Sequence, residues 1–88
     1  MIKSFRHKGL EKLHKDGDTS AVQAEHVERL RRLLASLEEA QEPDDMLRPG
    51  NRLYLMKKGK HAGFWAVNVS GNWWVIFRFV GSDVELVS

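Results

Sequence analysis

Apolar and polar residues alternate with period two across NRLYLMKKGKHAGFWAVNVSGNWWVIFRFV, residues 51–80, and no other feature restricts the fold of this chain as tightly. Such alternation sends successive side chains to opposite faces, so the stretch reads as β-strands. Turn signals at Lys58-Gly59-Lys60 and Ser70-Gly71-Asn72 divide it into two strands joined by a tight turn, with a third strand before them. The same stretch holds all three Trp, the single Tyr, three of the four Phe and five Lys or Arg, without one Asp or Glu. A cation-rich sheet with aromatics on both faces is a surface that anions would seek.

Parity assigns the faces. Leu53 and Leu55 fall on one side of the first strand, Tyr54 and Met56 on the other. Trp65, Val67 and Val69 share one face of the second. In the third, Trp73, Val75, Phe77 and Phe79 are expected on the core face, which turns Trp74, Ile76 and Arg78 the other way. Pro49-Gly50-Asn51 is a turn cluster leading into the sheet, and Gly81-Ser82-Asp83 another that precedes a short last strand over residues 84–87.

Upstream the period changes. Leu10, Leu13 and His14 predict a short helix over residues 7–15, with Gly17 as its C-cap. Val27, Leu30, Leu33, Leu34 and Leu37 form one stripe of a second helix over residues 24–40, ended by Pro43 and Asp44-Asp45. Glu25-Arg29 and Glu28-Arg32 have the spacing of i,i+4 ion pairs, worth ~0.3 kcal/mol each. Residues Ile2 to Phe5 suit an edge strand beside the sheet. The helical stripes need an apolar surface to cover, and the aromatic sheet face supplies it. An α+β layer fold follows, as one domain over residues 1–88.

The chain has no cysteine, which excludes disulfides and cysteine-ligated zinc. It has no 18-residue apolar run, and its first residues lack an apolar run of signal-peptide length, so a cytoplasmic protein without a membrane partner is expected. His7, His14, His26 and His61 show no ligand spacing, and no P-loop, dinucleotide fingerprint or nucleophile elbow occurs; neither metal nor cofactor is expected. The acidic group Glu38, Glu39, Glu42, Asp44 and Asp45 reads as a solvated helix end. Charge is uneven. Residues 1–47 carry eight Lys/Arg against ten Asp/Glu, residues 48–88 six against Asp83 and Glu85. Arg52, Lys57, Lys58, Lys60 and Arg78 can therefore line a groove beside Tyr54 and Trp74, where cations hold phosphates and aromatic faces stack unpaired bases.

The segments MIKSFRHKGLEKLH, EHVERLRRLLASL, RPGNRL, GFWAVNVSGNWW and FRFVGSDV, in this order and with a Lys-Gly turn between them, resemble the HigB toxins of the RelE-like superfamily, the plasmid-maintenance killer proteins. The resemblance covers essentially the whole chain. It implies a RelE-like α+β domain, with N-terminal helices packed on a small curved antiparallel sheet. It further implies a toxin that cleaves mRNA in the ribosomal A site without a metal. Such a toxin is restrained by a HigA-like antitoxin and meets operator DNA only through the antitoxin complex.

Residue by residue, the resemblance assigns the family's catalytic Lys to Lys57, with Lys58 as the alternative. It puts Tyr54 where the family often has a His, and aligns Asn72-Trp73-Trp74 with an Asn-Trp-Arg motif whose Arg is catalytic. Trp74 cannot supply that charge. Arg78 shares its face but lies about 13 Å along the strand, at ~3.3 Å per residue. The family's terminal Tyr-His tail has no counterpart in Glu85-Leu86-Val87-Ser88. The expected working set is Lys57 and Arg78 for catalysis, and Arg52, Tyr54, Lys58, Lys60 and Trp74 for RNA binding. The expected activity is weakened, and the alternative is a non-catalytic relative that binds antitoxin or RNA.

Overall fold

The computed structural model describes residues 1–48 and 50–88. Helix α1 covers Lys8–Asp16 and α2 covers Val27–Glu39, the latter entered through a 3-10 turn at Ala24–His26. A second 3-10 turn at Pro43–Met46 leads to strands β1 (Leu53–Leu55), β2 (Trp65–Ser70), β3 (Trp73–Val80) and β4 (Asp83–Glu85). The four strands form one sheet in sequence order, antiparallel throughout. Ile2 and Phe5 make isolated parallel bridges to Val84 and Val87, so the first residues run beside β4, the edge position their pattern suggested.

Local chemistry explains the helix ends. His7 is the N-cap of α1 rather than its first residue, because its Nδ1 accepts the Leu10 N–H at 3.1 Å. Gly17 closes the helix at φ 71°, a left-handed conformation that glycine adopts without a Cβ penalty. Its N–H donates to the Leu13 carbonyl, as a helix C-terminus requires.

Leu30, Leu33, Leu34 and Leu37 of α2 meet Leu10 and Leu13 of α1 on one side, and Val67, Val75 and Phe77 of the sheet on the other. Leu37, Val67, Phe77, Val84 and Val87 are fully buried. Each such side chain contributes roughly 1.5–3 kcal/mol by leaving water. The helices therefore cover a single face, and the opposite face of the sheet lies open.

Several sequence expectations need correction. Trp73 has core-face parity, yet it is 55 % exposed, its ring in a T-shaped contact with that of His26, 5.7 Å between centroids. It begins β3 next to a register shift between Asn68 and Ser70, at the end of the sheet, where the helix layer no longer covers it. Arg29 does not pair with Glu25. Its Nη2 instead donates to the carbonyls of Gly50 and Asn68 and to Asn51 Oδ1, at 3.1, 3.0 and 2.9 Å. Glu28 approaches Arg31 rather than Arg32, at 3.9 Å.

The acidic helix end is also more than solvated. Glu38 accepts from His14 and from the Ile2 N–H, and Asp45 accepts from the N–H groups of Gln41 and Glu42. The last strand ends at Glu85, because Leu86 turns to φ 56° and gives its N–H to Ser4 Oγ. The turn expected at Pro49-Gly50-Asn51 includes Pro49, which lies outside the described residues.

Candidate nucleic-acid interface

Strand register lays the open face out as three rows. Tyr54 pairs with Ala66, and Ala66 with Ile76; Ile76 exchanges main-chain hydrogen bonds with Ser88 at 2.8 and 2.9 Å. One row toward the β2–β3 turn, Asn68 pairs with Trp74. One row the other way, the Met56 N–H donates to the Phe64 carbonyl, and Arg78 pairs with Glu85. Alternation fixes this arrangement: burying Val67, Val75 and Phe77 forces their neighbours outward.

Ala66 is the smallest side chain at the middle of the face, between Tyr54 and Ile76. Around it opens a groove of about 1090 Å³, bounded by residues 53–58 along β1 and the chain beyond it, and by Trp74 and Ile76 of β3. Tyr54 is 64 % exposed and Trp74 39 %, and their rings meet edge to face, 6.3 Å between centroids at 76°. Met56, Ala66 and Ile76 make the groove largely apolar, while Lys57 and Lys58 bring two cations to one end. No carboxylate occurs between residues 51 and 80.

The structure thus brings Tyr54, Lys57, Lys58 and Trp74 together on one groove. Arg52 and Lys60 are exposed but do not line it. Arg78 shares the face, yet its guanidinium hydrogen-bonds Glu85 across the β3–β4 ladder and lies over the Phe64 ring, 5.7 Å from its centroid. It too stands outside the groove lining. Ala66, Met56 and Ile76 were not among the expected site residues, although parity already turned Met56 and Ile76 outward. Among the described residues, no three His, Asp or Glu side chains are grouped to hold a metal ion, and no helix is long and apolar enough to cross a membrane.

Two helices on one face of a four-stranded antiparallel sheet, with a cation-rimmed groove on the other, describe a RelE-like α+β domain. Residues 3–87 match the family described as the RelE-like toxin of type II toxin-antitoxin system HigB, and the chain belongs to that family. Over 88 residues it is 36 % identical to the Endoribonuclease HigB of Proteus vulgaris, an alignment that spans 100 % of this chain and 95 % of that protein. A toxin of such a system implies an antitoxin as partner.

Proposed function

We propose that this chain is an mRNA-directed endoribonuclease of reduced power, acting in the ribosomal A site and restrained by a HigA-like antitoxin. The observation that carries the reading is the open-face groove, with Lys57 and Lys58 at one end and the Tyr54 and Trp74 rings in its wall. The 36 % identity to an endoribonuclease supports it. In this reading the 2′-hydroxyl oxygen of the bound RNA forms a bond to the adjacent phosphorus, and the bond from phosphorus to the 5′-oxygen breaks. The products are a 2′,3′-cyclic phosphate and a 5′-hydroxyl. One proton leaves the attacking oxygen and one reaches the departing oxygen. Lys57 stabilises the negative charge that grows on the phosphoryl oxygens, which is where an oriented cation lowers the barrier most. Tyr54 and Trp74 hold bases, while Lys58, Arg52 and Lys60 attract the backbone.

The reduction in power follows from two cations. Trp74 offers an aromatic plane where the HigB-like pattern has an Arg, and the Arg78 guanidinium is engaged by Glu85. One oriented charged donor is worth roughly 10²–10³ in rate. These two positions also support the second reading, a non-catalytic relative that keeps antitoxin and RNA binding. The toxin works in the cytoplasm within a plasmid-maintenance system, and it reaches operator DNA only through the antitoxin complex.

Cleavage of mRNA on programmed ribosomes tests this, comparing the chain with its Lys57→Ala and Trp74→Arg variants. Lys57→Ala is expected to abolish measurable cleavage, and Trp74→Arg to raise it about 10²-fold. Equal rates for the unmodified chain and Trp74→Arg would overturn the reduced-power reading. No cleavage by either, with antitoxin still bound tightly, would favour the non-catalytic one.

A further inference from the structure

The two edges of the sheet are finished differently. Beyond β4 the first residues run alongside, with Ile2 bridging Val84 and Phe5 bridging Val87. At the other end, among the described residues, β1 has a single strand neighbour, β2. The Met56 N–H donates to the Phe64 carbonyl, and the Met56 carbonyl accepts from the Gly63 N–H, so both groups point inward. Main-chain direction alternates along a strand, which points Tyr54 inward as well, toward its partner Ala66. Leu53 and Leu55 therefore aim their N–H and C=O groups at the open edge. A row of edge groups of this kind is a template for one more strand.

Side chains along this edge select what can join it. Leu53 packs against the core, whereas Leu55, of the same parity, is left 38 % exposed. Arg52 precedes the strand, and Lys57 and Lys58 follow it. All three are exposed, and among the described residues none of them makes an ion pair. A second copy of β1 laid antiparallel would set Arg52 against Lys57 and Lys58 of its neighbour, so like charge opposes self-pairing. A strand with apolar side chains on one face and acids on the other meets both demands. Its apolar side chains lie beside Leu55, and its carboxylates come between the cations at the two ends.

The geometry points to β1 as a docking edge for an extended segment of a partner protein in which acidic and apolar residues alternate. The segment adds to the sheet as a fifth strand. Leu53 and Leu55 exchange main-chain hydrogen bonds with it, Leu55 loses its exposure, and Arg52, Lys57 and Lys58 hold its carboxylates. Main-chain bonds supply the affinity and the alternating side chains the specificity. RNA can meet the same cations but has no peptide ladder to offer Leu53 and Leu55. An acidic helix keeps its main-chain groups bonded within itself. The docking edge requires neither RNA binding nor cleavage.

The test titrates the full chain with a labelled, end-capped heptapeptide of alternating Glu and Val, followed by anisotropy and by amide hydrogen exchange. In the free chain the Leu53 and Leu55 amides are expected to exchange faster than those of Tyr54 and Met56. The peptide is expected to slow Leu53 and Leu55 selectively. A fully N-methylated peptide keeps every charge and side chain but no donor, and should bind at least about tenfold more weakly. Leu55→Pro removes one outward N–H that the sheet does not use. It should keep the melting temperature and weaken the unmodified peptide about fivefold. Equal binding of the two peptides would reduce the edge to charge attraction and overturn the proposal without needing any variant. Peptide binding that leaves the Leu53 and Leu55 amides unprotected would overturn it as well. So would protection of these amides by single-stranded RNA and not by the peptide, which would give the edge to nucleic acid. A dimer of the chain alone, lost in Leu55→Pro, would give the edge to a second copy and overturn the proposal too.

Discussion

Arg78 and Glu85 face each other across the β3–β4 ladder and share a hydrogen bond, with the Phe64 ring beneath the guanidinium. This pairing turns a cation of the open face away from the groove. Both side chains remain partly exposed, at 45 % and 26 %, so the pair adds less than about 1 kcal/mol to stability. Glu85→Gln should therefore leave the urea midpoint nearly unchanged while releasing Arg78 toward a bound polyanion. The salt dependence of RNA binding should steepen by about one phosphate contact. A variant with an unchanged salt slope would show that Arg78 stays clear of RNA even when released.

Arg29 is the strap between α2 and the sheet. It is half-buried, and its single Nη2 reaches two main-chain carbonyls and the Asn51 side chain. Asn51 in turn donates to the Met46 carbonyl at 2.8 Å, so the segment entering β1 hangs on this cluster. Arg29→Met keeps most of the aliphatic stem but removes every one of these donors. A loss of roughly 1.5–3 kcal/mol is expected, the usual range for hydrogen bonds to charged groups. Urea unfolding measures it, with an unchanged slope showing that the unfolded state is unaffected.

Glu38 predicts how stability falls in acid. Burial alone would raise its pKa and is the largest single influence. It is outweighed by the hydrogen bond from His14, the Ile2 N–H, the charge of His14 and the amino terminus, which together hold the carboxyl below its ordinary value of 4.5. A depressed carboxylate stabilises the folded state above the unfolded pKa, and that stability disappears as pH falls through the folded one. The melting temperature should thus hold above pH 4.5 as far as Glu38 is concerned and decline below it. Exposed Asp18, lowered chiefly by the backbone N–H of Ser20, adds to the same decline. Glu38→Gln should melt lower than the unmodified chain at neutral pH, and the gap should narrow below pH 4.5. A gap constant across that range would remove Glu38 from the acid response.

The sheet was legible because burial enforces parity. Val75 and Phe77 had to face the helices, which fixed Trp74, Ile76 and Arg78 on the opposite side. Trp73 was misread because parity names a face but not how far the covering layer extends along it. The Glu25-Arg29 pair failed for a geometric reason: the i,i+4 contact needs an α-turn, and Ala24–His26 is a 3-10 turn that leaves Glu25 beside His26 instead. The carbonyls that claim Arg29 are 21 and 39 residues away, beyond any local pattern. In the site, Tyr54, Lys57, Lys58 and Trp74 were legible from composition and alternation. The engagement of Arg78 was not, since it depends on which β4 residue the register sets opposite. Ala66 escaped notice because a groove is defined by what a side chain lacks.

The two parallel bridges at the sheet edge join stretches that lie far apart in the sequence. Ile2 and Phe5 reach the helices through Glu38 and His14, but their sheet partners are Val84 and Val87, far downstream in the sequence. Closing an 82-residue span, as the Leu86–Ser4 hydrogen bond does, carries a loop entropy that local helix contacts never meet. The helices can form early, but the row that ends at Ser88 cannot. The groove itself rests on the β1–β3 meander, whose strands pair over short spans, so it does not depend on this long closure.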